Sequence, residues 1–346
     1  MKTKGASARL KASVSGLLLA GVLMGGVYST SAFAQETSKT TWRPVNGEFI
    51  VPAGPGAALD SAARMIVQLL HQHGLVDDMI VVNRPGGNSA IGLNVLDQHV
   101  GDGSYVMSFA SSLLNNQIIG ALDRDYTDYT PIATLLDEYV AVVVSEKSPY
   151  KNIDDLIQAL KKNPGALNIG VAASVGNHIH VGFARPLKEA GVDISKLTII
   201  PYKSSAESMT ALIGGHVDVV GATTPNLVAP IQAGSIRALA VGAPKRLTGP
   251  LADTPTWIEE GINIVPISSQ GLLGPKGMTP EQLAYWTHAL DIVVATKEWQ
   301  DLMMRNHWSP NYLGPEETRK YREQEFAHSL EILSDLGLAK KQSAKR

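Results

Sequence analysis

Two histidine pairs, an aspartate behind a glycine-rich turn and four small, polar junctions are the places where this 346-residue chain could do chemistry. The junctions are Pro52–Asp60, Phe109–Asn116, Ala172–His180 and Gly221–Asn226, each read as a passage from strand to helix. Such a turn offers unpaired backbone N–H groups and the positive end of a helix, which suits a carboxylate. Glycine is also needed wherever φ is positive, so a single junction has a purely conformational explanation. Four in one chain make a ligand as good an explanation as turn geometry alone. His71 and His73, and His178 and His180, have the composition of metal ligands. Residues two apart share a face only on a strand, however, and no third ligand lies close in sequence to either pair. For His178 and His180 the better functional role is donation to an anion from a loop that enters a helix. Asp60, at a helix start, is favoured by the dipole; it can accept from a ligand or anchor its own loop. Lys203 is either a surface lysine or a charge partner for an anion, and Ser204 and Glu207 behind it have the spacing of a capping box.

Other chemistries find no support. Gly54-Pro55-Gly56-Ala57-Ala58-Leu59 misses the dinucleotide fingerprint at its sixth position, and Asn83-Arg84 stand where a ribose-binding acid belongs. Asp123–Asp128 lacks the glycine and glutamate of a calcium loop. No G-x-S-x-G, H-E-x-x-H or Walker A pattern occurs. There is no cysteine, which removes disulfides, thiolate metal sites and a cysteine nucleophile. With 30 basic and 32 acidic residues, no bulk charge calls for nucleic acid. At 44% hydrophobic residues the chain can bury a core, and its length suggests two domains.

Lys2, Lys4, Arg9 and Lys11, an apolar run over Val14–Tyr28 and Ala32-Phe33-Ala34 make residues 1–34 a cleavable export signal. With four of the 30 basic residues and none of the 32 acidic ones in that leader, the mature chain carries −6. A periplasmic location follows most simply. Residues 35–46 read as a flexible arm.

The elements that must position these junctions alternate. Strands are expected near 49–51, 79–82, 105–110, 140–144, 167–171, 197–200, 217–220 and 236–241, with helices after most of them. Asn152 is placed to cap a helix over 153–162, and Thr224-Pro225 to open another. Thr279-Pro280-Glu281-Gln282 reads as a capping box opening a helix to about 298, and 315–336 as a last helix closed by Gly337. Alternation of this kind predicts α/β architecture, with largely parallel sheets in two lobes.

The ordered motifs resemble a known family, the extracytoplasmic solute receptors of tripartite tricarboxylate transporters (the Bug family). They are Val51-Pro52 through Asp60, Asn83-Arg84-Pro85-Gly86, Asp102-Gly103-Ser104-Tyr105, Asn163-Pro164-Gly165-Ala166-Leu167-Asn168, Pro201-Tyr202-Lys203, Gly214-Gly215-His216-Val217-Asp218, Ala233–Val241 and Pro255–Gly261. The resemblance implies a two-lobed periplasmic binding protein fold (type II-like) with the ligand cleft between lobes. Lobe 1 is expected over 47–138 with 270–346, and lobe 2 over 139–269. It implies a monomeric receptor, without cofactor, metal or catalytic residues, that binds a small organic carboxylate and delivers it to integral-membrane permease subunits. Contacts carried over are Gly56, Ala57, Asp60, Ser111 and Ser112 in the first lobe, and Ser174, Gly176, Asn177, His178, His180, Thr223 and Thr224 in the second. The chain departs from the pattern at Ala57, Leu59, Val175, His178 and Ile179. These departures point away from citrate, toward a mono- or dicarboxylate with an apolar or aromatic body held by helix N-termini rather than an arginine clamp. The alternatives are a ligand-sensing partner of a membrane signalling protein, which closes by the same physical event, and an exported α/β enzyme.

Overall fold

The structure is a computed structural model that describes residues 42–172 and 174–340. The leader and the first part of the arm lie outside the described residues. The rest of the arm is tied down. Trp42 meets Tyr285 edge-on at 5.2 Å, Arg43 Nη2 donates to the Gly74 carbonyl at 2.8 Å, and the Asn46 N–H to Asp78 at 2.9 Å.

The first run of elements is β1 (Glu48–Val51), α1 (Ala58–Gln72), β2 (Ile80–Asn83), α2 (Ala90–Gln98), β3 (Tyr105–Ala110), α3 (Ser112–Ile118) and β4 (Thr130–Ser145). The middle run is α4 (Ile153–Lys162), β5 (Asn168–Ala172), α5 (His178–Glu189), β6 (Thr198–Tyr202), α6 (Ser205–Ile213), β7 (Val219–Thr223), α7 (Val228–Gln232) and β8 (Ile236–Val241). The last is β9 (Ile267–Gly274), α8 (Pro280–Ala295), α9 (Lys297–Arg305), β10 (Ser309–Leu313) and α10 (Pro315–Asp335).

Local chemistry sets the helix starts. Asn152 Oδ1 accepts the Asp155 N–H at 2.8 Å and opens α4, whose first turn is acidic and last turn basic, matching the dipole. Ile153, Leu156, Ile157 and Leu160 give α4 one apolar stripe, and all four are buried. At α8, Thr279 Oγ1 accepts from the Gln282 N–H and Gln282 Oε1 accepts from the Thr279 N–H, the reciprocal box expected there. That helix stops at Ala295 rather than near 298, because Thr296 leaves helical geometry and caps α9 instead. The 224–225 reading is also corrected. Thr224 lies inside a single 3₁₀ turn, without a side-chain cap, and α7 starts only at Val228.

The strand order is β2-β1-β3-β9-β4-β7-β5-β6, with β8 and β10 also on β4. β1 runs parallel to β2 and β3, and β5 parallel to β6 and β7. β9 is antiparallel to β3 and β4, and β4 is antiparallel to β7, β8 and β10. The sheets are therefore mixed rather than largely parallel, since the central strands return against their neighbours. β4 joins the two halves. Residues 130–139 pair with β9, and 140–145 with β7 and β8. One core lies under α1, α8 and α9 around Trp286 and Trp299, and another lies between α4, α5 and the second half around Phe183 and Trp257.

Candidate functional site

The end of β3 is pinned to β9. The Ser111 N–H donates to the Ser269 carbonyl, and the Ser269 N–H to Ser111 Oγ, both at 3.0 Å. Ser269 Oγ gives its proton to Asp137 Oδ1 at 2.6 Å and so accepts from the Tyr321 hydroxyl, also at 2.6 Å. Asn311 Nδ2 reaches the same carboxylate at 3.0 Å. Burial pushes the Asp137 carboxyl up, and the bonds from Ser269 and Asn311 pull the other way.

Across from this network, α5 presents His178, Val181, Gly182 and Arg185 to a cavity of about 20 Å³. The same cavity is lined by Ser111 and Asn115 from α3 and its approach, and by Glu325, His328 and Ser329 of α10. That volume holds about one water, so the site as it stands is shut. Burial raises Glu325, with Arg185 partly offsetting it. Among the described residues no carboxylate comes within salt-bridge distance of Arg185, which leaves a guanidinium available at the cavity wall.

Ahead of α5 the loop satisfies itself. Asn177 Oδ1 accepts the His180 N–H at 3.0 Å, and its Nδ2 donates to Ala172 O at 2.6 Å. Ser174 donates its N–H to Ala172 O and accepts that of Asn177. Gly176 takes φ +85°, and its N–H donates to His180 Nδ1 at 3.0 Å. His180 therefore carries its proton on Nε2, which is buried and has no partner among the described residues; His178 Nδ1 is likewise unpartnered. Burial drives both histidines down to about 4, so both are neutral in the ordinary pH range.

Asp60 has the anchoring role. Its carboxylate accepts from the Gly56 N–H at 2.8 Å, Arg64 Nε at 2.9 Å and Asn83 Nδ2 at 2.8 Å. Burial alone raises its pKa, but these bonds outweigh burial and hold the carboxyl below its ordinary value. The glycines at 54 and 56 face open space, and Ala57 keeps a negative φ of −67°. Leu59 packs toward the core rather than outward.

Of the residues picked from sequence, the structure brings Ser111 and His178 to one cavity, with His180 and Gly176 just behind. Ser112 is the first residue of α3. Gly56, Ala57 and Asp60 belong to a separate loop, and Lys203 is exposed with its N–H on Glu207. Thr223 Oγ1 accepts from Asn226 Nδ2, and Thr224 Oγ1 donates to the His307 carbonyl. Sequence reasoning missed Asn115, Arg185, Glu325 and His328. Arg185 had a usable signal, because 178, 181, 182 and 185 are one helical face. Among the described residues, no three His, Asp or Glu side chains converge as metal ligands, and no helix is long and apolar enough to cross a membrane.

Residues 63–338 match the tripartite tricarboxylate transporter family receptor. The chain belongs to this receptor family. BugT of Bordetella pertussis is 24% identical over 322 residues, covering 91% of this chain and 96% of BugT. A TctC solute-binding protein from Polaromonas, solved without ligand, is 25% identical with a TM-score of 0.71, covering 84% of this chain and 98% of its own. An R. palustris protein solved with adipate shares the fold at 23% identity and a TM-score of 0.72, covering 85% and 97%. The TctC fold is the two-lobed solute-binding type, so the α/β two-lobed expectation holds, with mixed in place of parallel sheets. Like its family, this TctC-type receptor is a binding protein and not an enzyme.

Proposed function

We propose that this receptor closes on a small organic carboxylate in the periplasm and hands it to a tripartite permease. The observation that carries the reading is Arg185, a guanidinium with no salt-bridge partner among the described residues, on the wall of a cavity shared by Ser111 and His178; it takes the place of the arginine-free binding expected from sequence. A guanidinium matches a carboxylate in charge and geometry, and the neutral imidazoles add donors without fixing a counter-charge. Adipate in the R. palustris relative supports a dicarboxylate of similar reach. The change of partners along β4, between Tyr139 and Val140, supports the first crossover near 138–139, while Ile267–Ser269 pair with Asp137–Tyr139 and move the return crossover from 269 to just before β9. A cavity of about 20 Å³ admits no diacid, so binding requires the lobes to part and reclose around it. Of the remaining proposed contacts, Gly56 is exposed, Ala57, Ser112 and Ser174 are half-buried, and Thr223 is buried. Export through residues 1–34 places the mature chain where such a ligand enters.

The test is a thermal-shift and calorimetric screen of the mature protein against mono- and dicarboxylates, with amines and sugars as controls. A true ligand at a hundredfold excess over Kd adds about 2.7 kcal/mol of stability. Arg185→Met should weaken the same ligand by about 10- to 100-fold, the worth of a hydrogen bond to a charged group. Shifts with sugars or amines alone, or a carboxylate indifferent to Arg185→Met, overturn the reading.

A further inference from the structure

A second guanidinium is more deeply placed than Arg185. Arg322, one turn before Glu325 on α10, is 2% exposed. Its guanidinium carbon lies 4.6 Å from the centre of the Phe109 ring and 5.2 Å from that of Tyr126. Nε and Nη2 are both buried and have no hydrogen-bond partner among the described residues. Burial lowers its pKa to about 10, so it remains a cation at neutral pH. Dehydrating a cation costs more than two aromatic faces return, and a buried charge is ordinarily paired.

Arg322 borders a cavity of about 170 Å³. Tyr126, Tyr129 and Pro131 form its apolar walls, Thr127 joins them with its hydroxyl committed to Asp125 at 2.7 Å, and Arg319 and Glu323 complete the lining. The last two are ion-paired with each other, so their charges cancel locally. The Tyr129 hydroxyl is committed to Asp97 at 2.9 Å, which leaves its ring, not its oxygen, for a guest. What remains is one unmatched positive charge against an apolar, ring-sized space. A cavity of roughly 150 Å³ is enough to hold benzene. None of these residues lines the cavity that contains Ser111, His178 and Arg185.

We propose that this cavity is a second binding site, for a small monocarboxylate whose carboxylate pairs with Arg322 and whose ring or short chain lies against Tyr126, Tyr129 and Pro131. The site is independent of the carboxylate reading for the Arg185 cleft. It supplies the anion that Arg322 lacks, and the walls of Tyr126, Tyr129 and Pro131 favour an apolar remainder over a second charge.

The experiment uses the mature full chain. Crystals are soaked in 4-bromobenzoate and the bromine is located by anomalous scattering, while calorimetry follows benzoate binding to wild type, Arg185→Met and Arg322→Met. The expected result is bromine within the Tyr129 cavity, benzoate binding retained in Arg185→Met, and affinity reduced at least about tenfold in Arg322→Met. Bromine only in the Arg185 cleft, or nowhere, overturns the proposal. So does benzoate affinity unchanged by Arg322→Met, or binding abolished by Arg185→Met alone. If Arg322→Met does not fold, the wild-type bromine position together with Arg185→Met calorimetry decides.

Discussion

Replacing Asp60 by asparagine tests whether the glycine-rich turn is held by its own carboxylate. Three donors converge on that group: the Gly56 N–H, Arg64 Nε and Asn83 Nδ2, all within 2.9 Å. Asparagine keeps one acceptor oxygen and turns an N–H₂ toward the donors of the other side. Hydrogen bonds to a charged acceptor contribute about 1.5–3 kcal/mol each. Arg64 is half exposed, so its share falls below about 1 kcal/mol. The expected loss is therefore about 2–4 kcal/mol, or roughly 3–6 °C in Tm for a chain of this size. The pH dependence has a definite sign. A carboxyl with a depressed folded pKa stabilises above its unfolded value near 3.8, and that stability is lost as pH falls through the folded pKa. The gap between wild type and Asp60→Asn should thus be full at pH 7 and shrink as pH falls below about 4. Scanning calorimetry at several pH values, with urea midpoints as a check, reads both quantities. A Tm change under about 1 °C at pH 7, or a gap that widens in acid, would falsify the anchoring role.

Two further outcomes follow from the loop ahead of α5. Because burial holds His178 and His180 near 4, the unfolded chain takes up protons first on acidification. Stability is complete above the unfolded value near 6.5 and falls as pH drops from there toward 4, by at most about 3 kcal/mol per histidine. His180→Gln keeps an acceptor for the Gly176 N–H and should flatten part of that slope in urea midpoints at pH 7 and 5; equal slopes in both proteins would count against it. Gly176→Ala forces a methyl into positive φ, 3.2 Å from Ile119 Cγ2, and should cost more than Gly261→Ala. Gly261, at φ +81° with nothing within 4 Å, isolates the backbone part of about 1–2 kcal/mol. Equal Tm losses in the two variants would remove the packing role assigned to Gly176.

Local signals carried much of the fold. Asn152 and Thr279 cap the helices they were expected to cap, and β3 and β8 match their apolar runs residue for residue. β9 escaped because Ser268-Ser269-Gln270-Gly271 has neither alternation nor apolar weight, yet it is buried between β3 and β4. Its polar side chains serve a buried network that only tertiary structure assembles. The first half of β4 was hidden by Pro131 and by Asp137-Glu138, and α9 by its continuity with α8 across Thr296. At the candidate site, strand-to-helix junctions drew notice to Ser111 and His178, which line one cavity. Arg185 was readable from helical spacing. No local pattern could bring Glu325 of α10 to the cavity that Ser111 lines, since that depends on the chain returning over 200 residues later.

β4 belongs to both halves of the sheet, with its partners changing after Tyr139. This sets where such a gene can recombine. A crossover within residues 130–145 mixes two parents inside one strand, and a single-residue slip there turns every side chain to the wrong face. Crossovers at 146 and 266 instead exchange β5 to β8, with α4 to α7, as one block. Every pairing of β9 and β10 to β4 survives such an exchange. The incoming block must match the register of Val140–Ser145 and the core face offered by Ile118, Ile332 and Leu333. His178 and Arg185 travel with the block, while Ser111 and Glu325 stay behind. On the proposed function, ligand preference would then be traded as a cassette against a constant half of the cavity.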